Sequence, residues 1–441
     1  MTALSGSFVV NASTGSDSTA SGLGPSTAVS FTGLIDVMMA PTEVQTNDST
    51  GSIAAGDVLY AGSITSGRKF NVVASVSTVF GTTTITCDHQ WGANFNGTVV
   101  CGGKRATLTN MVEVCDGTLG FDNEIKLETD VDLDANMTCG SSSRSVYIYS
   151  DSATTRRVIT TNQLKPLQGG AYRFEGLEFR SDYGAGAELF ASDSTYGTLT
   201  VIARSCIFGD TNDTNNFDAL SRAERTSQLL NYIKFDAVNC MFVNCNQVAA
   251  FWDVNWVNCY FKENNYINYP NSPGTTALYA AGHLRGQVVD CVFENTSGNS
   301  YIDRSNDGRY IVWLNNTFDG LTGSFATMVF SYDSTSFGAT GYPCQDFHFN
   351  LLTNCSYIGN EAEGVYNQLY NTANNINGLS HSITLSSDPY VNRAGGDRQI
   401  KASEQQQFET SWDNESTKQY GYNYAAAGGF RRIGLSGGIN G

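Results

Sequence analysis

The residues of this chain with the means to do chemistry lie in a few short phrases. The densest is YIDRSNDGRY, which sets Asp303, Arg304, Asp307 and Arg309 in one stretch. Acids and bases set this close could form a lyase-like site. The simpler reading is a surface loop whose acids and bases pair with one another. In FGDTNDTNNFD, Asp210, Asn212 and Asp213 have the spacing of half a calcium loop. The central glycine and closing glutamate of such a loop are missing, so turn capping accounts for the phrase. His89, His283, His348 and His381 have no ligand spacing to one another, which argues against zinc. A G-x-S-x-G string surrounds Ser436, but in an aperiodic stretch rather than between a strand and a helix, so no nucleophile elbow is expected. Trp252, Trp256, Tyr260, Tyr266 and Tyr269 crowd one region. They read either as a sugar-stacking platform or, more simply, as packing. No catalytic residue, metal ligand or cofactor is assigned.

Whatever these residues do, a repeat must position them. SCIFGD, VNCMFVN, VNCYFKE and VDCVFEN place Cys206, Cys240, Cys259 and Cys291 two residues before Phe208, Phe242, Phe261 and Phe293. LNNTFDG continues with Asn316 and Phe318, and FNLLTNC with Asn350 and Leu352; EGLEFRS, with Leu177 and Phe179, precedes them. Residues two apart on a strand share a face, so each pair points inward together. Two residues beyond each Phe or Leu stands a polar residue or a turn former, among them Asn244, Glu263, Asn295, Gly320 and Asn354. A strand that ends in a turn and recurs every few dozen residues is one rung of a solenoid, which buries its apolar face only against its neighbours. Variable steps mean loops of different length leaving a common wall. Helical solenoids need long 3.6-period runs, which are absent.

These phrases resemble rungs of the pectate-lyase-like superfamily, which includes polysaccharide lyases, glycosidases and phage tailspikes. The resemblance implies an all-β, right-handed parallel β-helix over most of the chain. NASTGSDSTASGLGPSTAVSFTGLI resembles the opening of many such proteins, with a loop before a short helix that caps the first rung; Phe31, Leu34, Ile35, Val37 and Met38 would form it. AAGDVLYAGS, 54–63, resembles a first rung, and 97–108 a phrase of phage and environmental β-helix proteins. ITLSSDPYVNRAGGDRQIKAS, 383–403, resembles a closing rung. The expected layout is 1–53 for strand, loop and capping helix, 54–403 for the β-helix, and 404–441 for a C-terminal extension. The Asn-Thr-Asp, paired-Asp and Gly-His-Gly motifs of polygalacturonase-like glycosidases are not found. Lyases of the superfamily use a calcium-binding acid cluster with a basic residue; Asp397, Arg398 and Lys401 do not match that order.

Composition bounds the rest. The chain of 441 residues has 45 Gly, 7 Pro and only 15% charged residues, which suits a β-solenoid with many tight turns. Twenty-five basic against 42 acidic residues leave a net charge of −17, so no basic field exists for nucleic acid. The opening MTALSGSFVVNASTG has no basic n-region and no long apolar run, and reads as neither a secretory signal nor a membrane span. The 11 Cys are odd in number and four sit on the inward face of the repeat, where they read as small buried thiols rather than a disulfide framework.

The last residues, YGYNYAAAGGFRRIGLSGGING, are rich in glycine and aromatics and have no period. A disordered tail is one reading. The other is an anchoring peptide in which Phe430, Arg431, Arg432, Ile433 and Leu435 order on a partner, either another virion protein or an identical subunit. The ending resembles Gly-rich ends of phage structural proteins. Together these features predict a phage virion structural protein: a capsid decoration, head fibre or tail-associated β-helix, made in a host cytoplasm and exposed on the particle. A host-surface glycan is a further candidate partner. The alternatives are a polysaccharide-degrading tailspike or lyase, and an extracellular adhesin.

Overall fold

The computed structural model describes residues 2–115, 123–133, 135–138, 145–163, 166–183, 188–191, 199–210, 217, 219–221, 233–245, 247–249, 253–262, 266–268, 285–294, 301–303, 310–320, 345–348, 350–355, 362–365, 368–370, 379–380, 383–392 and 397–401. It contains parallel β-helix rungs and an antiparallel barrel, and divides into two compact units, 1–182 and 183–441.

The first unit opens with strand β1 (Phe8–Val10). Six strands then close an antiparallel barrel: β2 (Val29–Ile35), β3 (Glu43–Thr46), β4 (Val58–Tyr60), β5 (Phe70–Val79), β6 (Thr82–Cys87) and β7 (Phe95–Cys101). Its interior is filled by Phe31, Ile35, Val44, Leu59, Val73, Ile85, Trp91 and Val99. This differs from the capping helix expected over 31–38 and the first rung expected at 54–63. The burial of 29–35 alternates strictly, with Phe31, Gly33 and Ile35 inside, and period two is the signature of a strand. The 58–60 segment pairs antiparallel with β5 and β7, as no β-helix rung does.

A helix does cover the start of the solenoid, but later in the chain. α1 (Leu108–Cys115) buries Leu108, Met111 and Val112 and packs against β1 and the first rung, β8 (Asn123–Leu127), β9 (Val131–Leu133) and β10 (Met137–Thr138). Asp17 holds its N-terminus: one carboxylate oxygen accepts the Ala106 and Thr107 N–H groups at 3.0 and 3.2 Å, and the other accepts from the Thr107 hydroxyl and the Asn110 amide. These bonds fix the turn that leads into α1, whose own first N–H groups begin at Leu108. Arg105, just before the helix, donates its N–H to Val9, accepts from Asn11, and lays its guanidinium over the Tyr60 and Phe70 rings of the barrel. Barrel, helix and first rung are thus tied at one residue. Next come β11 (Ser145–Ser150), β12 (Arg157–Thr161), β13 (Leu167–Gln168), β14 (Gly170–Glu175) and β15 (Leu177–Ser181). β1, β8, β11 and β14 form a parallel wall; β9, β12 and β15 form another.

In the second unit the repeat is explicit. Phe208, Phe242, Phe261, Phe293, Phe318 and Leu352 are register partners on successive strands of one parallel wall. The five rings stack in order at centroid distances of 5.2, 4.5, 4.5 and 5.0 Å, close to the strand spacing of a sheet. Before each strand the chain turns through a left-handed residue: Ser205, Asn239, Asn258, Asp290 and Asn315 all have φ between 53° and 57°. Short polar side chains tolerate that region better than most. Cys206, Cys240, Cys259, Cys291 and Asn316 follow these turns and, like Asn350, are buried.

Candidate functional site

The outward face of the first unit's main wall carries the most developed polar site among the described residues. Along β8, β11 and β14 the burial alternates. Ile125, Ile148 and Phe174 face inward in register, so their neighbours must face out. This sets two outward rows: Glu124, Tyr147 and Arg173; and Lys126, Tyr149 and Glu175. Tyr147 and Tyr149, two apart on one strand, stack at 5.0 Å, and the Arg173 guanidinium lies 5.1 Å from the Tyr147 ring. The Tyr147 hydroxyl donates to Glu175 at 2.5 Å. Ser7, just before β1, donates to Glu124 at 3.0 Å and lies 2.8 Å from the Tyr149 hydroxyl.

Partial burial, then the neighbouring Glu175 carboxylate, push the Tyr147 phenol well above its ordinary value, so it stays a protonated donor at any physiological pH. At the edge of the same wall Glu128 accepts from Lys104 at 2.5 Å and Asn11 at 3.3 Å. Burial would raise its pKa, but the hydrogen bonds of Lys104 and Asn11 outweigh that and lower it. The face therefore offers half-buried aromatic rings, carboxylate acceptors and a guanidinium donor in fixed rows. That is the chemistry which meets a hydroxyl-rich ligand, through ring contact and charge-assisted hydrogen bonds. Among the described residues, no group of three or more His, Cys, Asp or Glu gathers as a metal site.

No protein-family model matches the chain, and no curated protein matches it. Among solved structures it is similar to the tailspike protein gp49 from Pseudomonas phage LKA1, with a TM-score of 0.24 and 11% identity. The likeness covers 82% of this chain and 61% of the tailspike, so the chain spans well short of that protein's length. A likeness at this level assigns neither ligand nor activity.

Among the described residues, those singled out in the sequence are not brought together. Trp256 is core: it is fully buried, 6.0 Å from Phe242 and 5.0 Å from Phe261, and cannot present a ring to a sugar. Tyr260 is half-buried and its hydroxyl bonds Glu294. Tyr266 and Asp303 are placed only by backbone, in strands Tyr266–Asn268 and Tyr301–Asp303 of a third wall, where Asp303 pairs with Asn268. Asp210 is buried, and its backbone carbonyl accepts from the Asn244 amide. His89 is half-buried and lends its carbonyl to Asn71. His348 ends strand Gln345–His348, and Asp397 and Arg398 lie in strand Asp397–Ile400, which forms a hairpin with Tyr390–Asn392. Asn212, Asp213, Trp252, Tyr269, His283, Arg304, Asp307, Arg309, His381, Phe430, Arg431, Arg432, Ile433, Leu435 and Ser436 lie outside the described residues. The Tyr147–Tyr149 face was legible only as the alternating strand SVYIYS; alternation puts both rings on one side, but nothing local names Arg173 and Glu175 as their neighbours.

Proposed function

We propose that this chain is a structural β-helix protein of a bacteriophage virion, carried on the particle as a capsid decoration, head fibre or tail-associated spike. The observation that supports it best is how chemistry is divided in the solenoid. In the second unit the interior is a close-packed column of stacked rings and buried side chains, and in the first unit aromatic, acidic and basic groups stand on an outward wall. Rungs built this way suit display rather than an enclosed active site. The free, buried state of the described cysteines suits a chain that folds in a reducing cytoplasm and leaves it inside a particle.

On this reading the Tyr147–Tyr149 face meets a host-surface glycan, and the segment holding Phe430, Arg431, Arg432, Ile433 and Leu435 anchors the chain to another virion protein or an identical subunit. Mass spectrometry of salt-washed particles tests the role, with immunogold labelling to locate the chain. The expected result is a stoichiometric, externally labelled component. Recovery only from the host surface or medium would replace this reading with an adhesin. Shortening of host polysaccharide by the purified chain would replace it with a depolymerase. Glycan retention that Tyr149→Ala abolishes at unchanged melting temperature would locate the ligand on the proposed face.

A further inference from the structure

β5 is longer than the strand beside it. β4 pairs with it only from Phe70 to Val72, and the backbone of Gly56 and Asp57 extends the contact to Val73. On its other edge β5 pairs with β6 out to Val79 opposite Thr82. Among the described residues, no strand covers the outer edge of 74–79. Natural sheets defend such an edge with charge or proline; here no residue from Phe70 to Cys87 is charged or proline.

The hairpin tip fixes which groups point outward. Phe80 and Gly81 form its two-residue connection, with φ of 49° and 86°. Two positive values make a type I′ turn, and such a turn closes on a hydrogen-bonded pair, here Val79 and Thr82. Bonding alternates from there, so Val79 and Ser77 bond inward to β6, while Val76 and Thr78 turn their N–H and C=O groups away. Phe80 is fully exposed, 60% of Val79 is exposed, and a bulky side chain in the left-handed region is a costly choice where Asn or Gly would serve.

We propose that this edge joins two copies of the chain, β5 against β5, antiparallel about a two-fold axis at Ser77. Val76 of each copy then exchanges both backbone bonds with Thr78 of the other, and the contact is self-complementary. β5 is irregular between Val73 and Ser75, so the regular pairing of the two copies runs from Ser75 to Val79, with Phe80 just beyond it. Charge restricts where two copies can meet. Two chains of net charge −17 repel, and the uncharged hairpin lets them meet without bringing carboxylates together. The prediction concerns the isolated chain and is independent of any virion role.

The full chain is tested by analytical ultracentrifugation across a concentration series. Wild type is expected to double its mass as concentration rises. Ser77 is exposed, so Ser77→Lys sets two like charges face to face at the axis without touching the core, and should weaken association by about tenfold or more. Ser77→Cys should form a disulfide between copies, mapped by mass spectrometry, because directly opposed residues at such a non-bonded position lie within bridging distance. Phe80→Gly should weaken the dimer while keeping or raising the melting temperature. A single-chain mass at every concentration, or a dimer unaffected by Ser77→Lys and not linked through Ser77→Cys, would overturn the proposal. Capture of a different protein by the same edge, with no self-association, would overturn it as well.

Discussion

The side-chain oxygen of Asn316 accepts the backbone N–H of Cys291 at 2.9 Å, as the sulfur of Cys291 accepts the backbone N–H of Cys259 at 3.4 Å. Four side chains of this column each donate to a carbonyl of the main wall: Cys259 to Ala237, Cys291 to Trp256, Asn316 to Val288 and Asn350 to Trp313. Those four acceptors occupy one register position on successive strands. The column thus selects a small side chain that both donates and accepts, and the expectation that the repeat needs only the volume of the thiols is too simple. Cys291→Asn should cost little. Cys291→Val, of similar size but without either function, should cost about 1–3 kcal/mol through orphaned buried groups. Denaturant unfolding of the three proteins checks this; equal losses would return the column to volume alone.

The ring stack carries a larger share. Phe242 lies between Phe208 and Phe261, with ring planes 15° and 4° from theirs. Phe242→Ala should destabilise by about 3–5 kcal/mol, since stacked rungs above and below cannot close the gap. Trp256 sits 6.0 Å from the same ring, so its fluorescence is a local probe of the transition.

Thiol chemistry should show the burial directly. Eight of the described cysteines, Cys87, Cys101, Cys206, Cys240, Cys245, Cys259, Cys291 and Cys355, are buried thiols outside any disulfide. Burial pushes the Cys245 and Cys87 thiols up to about 12, leaving them almost wholly protonated and unreactive at neutral pH. Alkylation of the native protein should spare these positions. Denaturation without reductant should expose all eight at once, and disulfides among them would overturn the assignment.

Asp17 gives a pH signature at the helix cap. Burial alone would raise its pKa, but hydrogen bonds from Thr107 and Asn110 outweigh it, and the folded value lies below the ordinary 3.8. The unfolded chain therefore binds this proton first as pH falls. The stabilisation is fully present above about 3.8 and is lost as pH drops through the lower folded value. Asp17→Ala should cost about 0.5–2 kcal/mol at neutral pH. The gap in melting temperature between the two proteins should narrow only at pH below 4; a gap independent of pH would mean the carboxylate's charge is irrelevant.

Deletion of 420–441 is expected to leave the melting temperature unchanged and to abolish incorporation into particles. Those residues hold seven large apolar or aromatic side chains among seven glycines, and a glycine-rich chain is expensive to order without a surface to lie on. Unfolding of the truncated protein would make the segment part of the solenoid, and normal assembly would end the anchoring idea.

The rungs were readable from sequence because everything that makes them is local. A left-handed Asn, Asp or Ser, a Cys or Asn, and a Phe two residues on specify turn, column and ladder within a few positions, and repetition makes the signal strong. The barrel was not readable. Its strands close through antiparallel pairings between distant segments, such as Val29 with Cys101, and no short window reveals which strand a given strand will meet. The loop before it resembled the approach to a capping helix, and the cap exists, but tertiary structure gave that place to 108–115 by setting Asp17 against its N-terminus. The outward site divides the same way. Alternation in SVYIYS already puts Tyr147 and Tyr149 on one face, because side chains on a strand alternate by geometry. Arg173 and Glu175 arrive there only because β14 stacks on β11 in one register, and a shift of a single residue would have buried both charges in the core.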